Sequence, residues 1–240
     1  MNNAPLIAFK DVFKTYGSGE ATVDALAGVN FEIEAGEFVA IRGPSGSGKS
    51  TAMNIMGWLD APSSGEYLFQ GVPTGELPSS KLTLLRRYLL GFVFQGFNLL
   101  PRTSALDNVE LPLIYRGIKR RQRRELAEQA LVQVGLADRL HYSAQSLSGG
   151  QQQRVAIARA IVTKPGVLLA DEPTGNLDTR TSESVMDLIT GLNRSNGITV
   201  IVVTHDDMVA AYADRTIRFL DGHLESDLRT RAARETSHVS

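Results

Sequence analysis

This chain of 240 residues predicts an α/β fold built on a mostly parallel sheet, and three observations carry that prediction. The runs Phe38–Ile41, Phe92–Phe94, Val167–Ala170 and Thr199–Val203 are almost wholly apolar, as strands buried on both faces are. Helical patterns alternate with them. In Thr179–Asn193, for example, Val185, Leu188, Ile189 and Leu192 fall at i, i+3, i+4 and i+7. The chain also opens differently: Ile7–Val12 and Val29–Ile33 alternate apolar and polar residues around Gly17 and Gly19, which reads as an antiparallel β-layer.

Taken in order, the strand Phe38–Ile41 leads into a glycine-rich stretch and then a helical run, Thr51–Leu59. From Phe97 the pattern turns mainly helical, with Pro101 and Pro112 as punctuation and a helix over Arg120–Val134. A further helix is expected over Gln152–Ile161, before the sheet resumes at Val167. The expectation is one domain over residues 1–226, with a helical subdomain inserted at about 97–160. Residues 227–240 are polar with alternating charge and no periodicity, so a loosely held tail is expected there.

Bulk composition excludes several classes. A net charge of -1 gives no global push toward nucleic acid, whose binding usually needs a basic face, so none is expected as a partner. With no cysteine, disulfide frameworks and cysteine zinc sites are ruled out. No run approaches the ~18 apolar residues of a spanning helix, and the N-terminus has no signal-peptide pattern. These points lead to the expectation of a cytoplasmic protein that reaches the membrane only through a partner.

The chemistry is concentrated in short motifs. Gly43, Pro44, Ser45, Gly46, Ser47, Gly48, Lys49 and Ser50 fit the phosphate-binding pattern G-x-x-x-x-G-K-[ST], between a strand and a helix as that motif requires. Its glycines let successive N–H groups converge on phosphate, and the helix start adds partial positive charge. Lys49 would reach the β- and γ-phosphates and Ser50 would coordinate Mg²⁺. Thr51 completes this expected nucleotide-binding set. Val167–Ala170 runs into Asp171 and Glu172: the first carboxylate suits Mg²⁺, the second a general base beside the attacking water. Alone, an apolar strand before two acids is also what a surface turn looks like. Leu147 precedes Ser148, Gly149, Gly150 and Gln151, which open a helix whose free N–H groups make a second anion site. An ordinary Ser-capped helix start explains Ser148, but not two consecutive glycines followed by Gln.

This last motif, ahead of Asp171, resembles the signature of the ATP-binding-cassette (ABC) family, whose members are P-loop NTPases. The resemblance runs from Tyr16 to about His223. It implies an ATPase acting as a head-to-tail dimer, in which this loop closes over ATP held by the other copy. It further implies that Gln95 contacts Mg²⁺ and the attacking water, and that Asp178, in Gly175–Asp178, lies in a loop communicating between the two sites. His205 resembles the histidine that contacts the γ-phosphate. Tyr16 resembles the aromatic that stacks on adenine, although an ordinary turn tyrosine before Gly17 has the same appearance.

Glu172–Asp178 and Phe92–Leu100 resemble most the ATPases of the macrolide-exporter, lipoprotein-release and cell-division group. That group implies a separate transmembrane permease, a periplasmic adaptor as a further partner, and work on a drug, peptide or lipoprotein from the inner face of the membrane. The alternative within the group is regulation of cell-envelope or cell-division enzymes without transport. Cassettes of DNA repair or translation usually come paired or carry long coiled-coil insertions or a basic face, none of which is seen. Ala52-Met53 stands where the family has leucine first, and stays apolar. The basic run Lys119–Arg124 reads as a solvated helix face, with permease or anionic-lipid contact as the other reading.

Overall fold

The computed structural model describes residues 4–17 and 19–229. Near the N-terminus, β1 (Ile7–Tyr16) and β2 (Val23–Ile33) pair antiparallel, Ile7 opposite Ile33 and Tyr16 opposite Val23. With β4 (Ser64–Phe69) and β5 (Val72–Pro73) they form a sheet in the order β2-β1-β4-β5. The second sheet holds β3 (Phe38–Arg42), β6 (Leu90–Phe94), β7 (Val167–Asp171), β8 (Thr199–Val203), β9 (Arg215–Leu220) and β10 (His223–Arg229). Its order is β10-β9-β3-β8-β7-β6, and every pairing is parallel except that of β10 with β9. The sequence therefore predicts the fold class correctly: a mostly parallel sheet, an antiparallel N-terminal layer, and helices.

Alternation along the central strands explains why they read as unbroken apolar runs. Phe38 and Ala40, Val200 and Val202, and Leu168 and Ala170 face one core, which they share with helices. Val39 and Ile41, Ile201 and Val203, and Val167 and Leu169 face the other, against Ile7, Phe9 and Ile33 of the antiparallel layer. Side chains alternate across a pleat, so a strand between two cores has no polar side. Truncating fully buried Ile41 or Ile201 to Ala should cost about 2–5 kcal/mol.

Helices α1 (Lys49–Met56) and α2 (Ser79–Leu89) precede β6. Between β6 and β7 run α3 (Ala105–Tyr115), α4 (Arg120–Gln133) and α5 (Gly149–Ile161). They are followed by α6 (Thr179–Asn196) and the single turn α7 (Asp207–Ala210). α1 stops short of the expected Leu59 because Gly57 caps it and Trp58 takes a left-handed φ of 52°. The tail expected from Asp227 needs a correction. Residues 227–229 belong to β10, where Asp227 takes two hydrogen bonds from Arg215, at 2.7 and 2.6 Å. The remainder of that tail lies outside the described residues.

Candidate functional site

Parallel pairing brings the loops after β3, β6, β7 and β8 to one edge of the sheet. In register, Phe94 lies beside Asp171, and Asp171 beside Val203, while Ile41 also flanks Val203. Thr204 N–H donates to the Ile41 carbonyl at 3.0 Å, tying the loop after β8 to the start of the glycine-rich loop. Gly43–Ser50, Gln95, Asp171-Glu172 and His205 thus gather outside the strands' carboxyl ends, where ligands bind open α/β sheets.

Backbone geometry demands the glycines of the first motif. Gly43 has φ 149°, and a Cβ there would lie 2.2 Å from the Phe219 carbonyl oxygen. Gly48 has φ 99°, and its Cβ would lie 2.4 Å from that of Ala25. No side chain caps α1, so its first N–H groups await an acceptor. The buried Ser47 hydroxyl has no partner either. Lys49 is buried and donates to the Pro44 carbonyl at 2.7 Å. Burial pulls its pKa below the usual lysine value, against the opposing pull of Glu172 and Asp171. A cradle with an unpaired hydroxyl, an uncapped helix start and a desolvated cation suits a phosphate chain.

The two neighbouring acids differ sharply. Glu172 sits at φ 44° and is held from β8's end. Its Oε1 accepts from the His205 backbone N–H at 3.1 Å and lies 2.7 Å from His205 Nδ1, and its Oε2 accepts from the Thr204 hydroxyl at 3.2 Å. Among the described residues no donor hydrogen-bonds to the Asp171 carboxylate, although the Lys49 charge lies near it. Its pKa is raised by burial and then by the Glu172 charge, with Lys49 opposing both. A half-buried carboxylate without a donor fits a cation. Among the described residues no cluster of three or more His, Asp or Glu could hold a metal alone. That suits Mg²⁺, which commonly uses one or two carboxylates together with substrate phosphates and water. Asp171, the Ser50 hydroxyl and the Gln95 amide oxygen, the groups the sequence pointed to for Mg²⁺, are all oxygen donors.

Gln95 is placed by Asn176, whose amide donates to the Gln95 carbonyl at 2.9 Å and accepts from the Gln95 side chain at 3.4 Å. Gly175 makes room for it, since a Cβ there would lie 2.6 Å from Gln95 Nε2. Thr204 and Asn176 are thus site residues that sequence reasoning missed as such. Both flank residues it named, and neither carries a charge to attract notice.

Ser148–Gln151 and Asp178 form a separate group. Gly149 lies against Leu177, and Gly150 so close to Thr181 that a Cβ would approach its methyl to 2.3 Å. Asp178 caps α6, accepting from the Thr181 N–H at 3.0 Å and its hydroxyl at 2.6 Å; these bonds hold its carboxyl below the usual range. Ser148 and Gln151 close a capping box at the start of α5, so the N–H of Gln151 is not free as expected. Among the described residues no hydrogen bond links this group to Gly43–Thr51. Tyr16, at the end of β1, has its hydroxyl on Asp60 at 2.6 Å and is, as a residue, 42% exposed.

Known proteins share the pattern. The family described as ABC transporter matches residues 26–175. The uncharacterized ABC transporter ATP-binding protein YknY of Bacillus subtilis is 51% identical over 91% of this chain and 95% of its own length. The macrolide export ATP-binding/permease protein MacB of Hyphomonas neptunium is 51% identical over 93% of this chain, which spans 34% of that protein's length. A dimeric, post-hydrolysis structure of the cassette MJ0796 of Methanocaldococcus jannaschii, bound to ADP and Pi, matches with TM-score 0.87 at 46% identity. That match covers 95% of this chain and 100% of that one.

Proposed function

The chain belongs to the ABC transporter family as an ATP-hydrolysing cassette, and from that premise we propose that it drives a separate membrane permease from the cytoplasmic face. ATP is its substrate. Two copies would sandwich it head to tail, a reading supported by the dimeric state of MJ0796. The permease is supported by the fusion named in MacB; export of a drug, peptide or lipoprotein, and a periplasmic adaptor, extend the same reading.

In this reading the N–H groups of Gly43–Thr51 bind the phosphates, and Lys49 exchanges the Pro44 carbonyl for the β- and γ-phosphates. Glu172 takes the proton of the attacking water. Its two oxygens are already fixed by Thr204 and His205, so little reorganisation is needed at the moment of reaction. His205 Nδ1 faces a carboxylate and carries the proton in that contact. Ser50, Gln95 and Asp171 would hold Mg²⁺, which would supply charge neutralisation on the phosphates. The second copy contributes Ser148, Gly149, Gly150 and Gln151, with Asp178 beside them, and Tyr16 stacks on the adenine.

One observation carries the proposal: Glu172, tied to Thr204 and His205, stands next to Asp171, whose carboxylate accepts no hydrogen bond among the described residues, on the edge where Gly43–Ser50 also ends. Glu172→Gln should abolish turnover while trapping ATP in a stable dimer, read by phosphate release and size-exclusion chromatography. Unchanged turnover removes Glu172 as the base.

The permease is proposed to dock in the groove of 660 Å³ lined by Leu59, Phe92, Leu111 and Tyr115. Asn98, which follows Gln95 closely in the chain, lines the same groove, so a shift there would reach the site directly.

A further inference from the structure

The aromatic ring at the end of β1 does not stand alone. Tyr16 donates its hydroxyl to Asp60 Oδ2 at 2.6 Å. The other oxygen of Asp60 accepts from Lys14 Nζ at 2.6 Å, and that ammonium also donates to the Ala61 carbonyl at 2.9 Å. Lys14 Nζ lies 4.8 Å from the centroid of the Tyr16 ring, in cation–π contact. The Lys14 and Asp60 side chains are only 13% and 28% exposed, whereas Tyr16 as a residue is 42% exposed. Lysine, aspartate and tyrosine thus close a ring of contacts in which the first two are largely covered and the aromatic remains open to solvent.

An exposed tyrosine at a strand end normally samples several rotamers. Here the phenol is tethered at its tip and covered by a cation, so its plane is set before anything binds. Burial first, then the bond to Asp60, raises the phenol's pKa, so the ring stays neutral near a polyanion.

Resting on the reading of Tyr16 as the adenine platform, we propose that Asp60 and Lys14 are positioning residues that hold its ring ready to stack. They thereby set the affinity for a nucleotide over a triphosphate without a base. Freezing one side chain in advance removes a binding cost that corresponds to about a two- to tenfold change in affinity.

The test compares dissociation constants for ATP and for ribose 5′-triphosphate, which lacks the base, across Tyr16→Phe, Asp60→Ala, Tyr16→Ala and the Tyr16→Ala/Asp60→Ala double variant of the full chain. Tyr16→Phe keeps the ring and removes only the tether. It should weaken ATP by about two- to tenfold, match Asp60→Ala, and leave the base-free ligand unchanged. The double variant should bind ATP no worse than Tyr16→Ala alone. Equal weakening of both ligands in Asp60→Ala would mean local structural damage and overturns the proposal. If Tyr16→Ala weakens ATP while Tyr16→Phe and Asp60→Ala do not, the brace is refuted and the platform stands. If Tyr16→Ala leaves ATP binding intact, the platform itself fails, and the brace with it.

Discussion

Two helix starts in this molecule are built from glycine and serine, and they are in opposite states. α1 begins with no side-chain cap, an unpaired Ser47 hydroxyl and a buried Lys49 parked on a carbonyl. α5 begins with a closed capping box, in which Ser148 accepts from the Gln151 N–H at 3.3 Å and Gln151 accepts from the Ser148 N–H at 3.0 Å. Both carry the partial positive charge of a helix N-terminus. Among the described residues α1 keeps the larger set of open donors, and Asp171 and Glu172 lie beside its start across the sheet. In the proposed reading the same local motif serves two ends: α1 would hold phosphate in one chain, while α5 is largely satisfied internally and would offer a second copy the N–H groups of Gly149 and Gly150 and the Ser148 hydroxyl.

Lys49→Met tests the open end and should show the largest effect. Turnover should fall by about a hundredfold or more, the scale for losing one preorganised donor to transition-state charge. The melting temperature should not fall. The Lys49 pKa is depressed by burial, so its charged form is disfavoured in the fold at neutral pH, and removing it relieves that cost. A lower melting temperature in the variant would mean that the lysine is a structural tie instead. Ser148→Ala tests the closed end and should behave in the opposite way. Losing an N-cap costs about 1 kcal/mol, or about 2–4 °C in a chain of this size by thermal melt. A melting temperature equal to wild type would show that the box is not closed in solution.

The contrast between the two starts was only half legible from residue types. Both motifs stand out by their glycines, and the flanking apolar runs of β3 and β7 place them correctly. Whether Gln151 closes back on Ser148 depends on rotamers that no spacing encodes. Two other elements carry weak signals. α2 buries no residue fully, and its Leu82, Leu85 and Leu89 stripe, only half-buried against the core, is interrupted by Arg86 and Arg87; β9 buries Ile217 and Phe219 but opens with Arg215 and is only six residues long. α3 is hidden for another reason: Asn108 and Glu110 lie on its buried side. Asn108 is fully buried because its amide serves Leu100, Thr103 and Ser104, and Glu110 because it pairs with Arg123 at 3.0 Å. Polar groups satisfied inside a helix bundle break the very periodicity by which a helix is found. The same holds for Tyr16: its aromatic type is visible in the chain, while Asp60 and Lys14, which hold it, are brought together only by folding.

The smallest shift in melting temperature should come from the acid that completes the open end. Asp171 has a raised pKa, caused first by burial and then by the charge of Glu172. A carboxyl whose folded pKa lies above its unfolded value stabilises the fold when protonated. That contribution is fully present below the unfolded value and is lost as pH rises through the folded one. At neutral pH the ionised Asp171 is therefore a burden on the protein without nucleotide, one that a bound cation would offset. Asp171→Asn removes the charge at constant size. Thermal melts of the nucleotide-free protein should show the variant above wild type at pH 7–8, with the difference shrinking toward pH 4, while Mg²⁺-dependent turnover disappears. A variant that melts below wild type at neutral pH would show that the carboxylate has a stabilising partner of its own. The open start of α1 would then face a satisfied acid, and the difference between the two helix starts would no longer extend across the sheet to the metal side of the site.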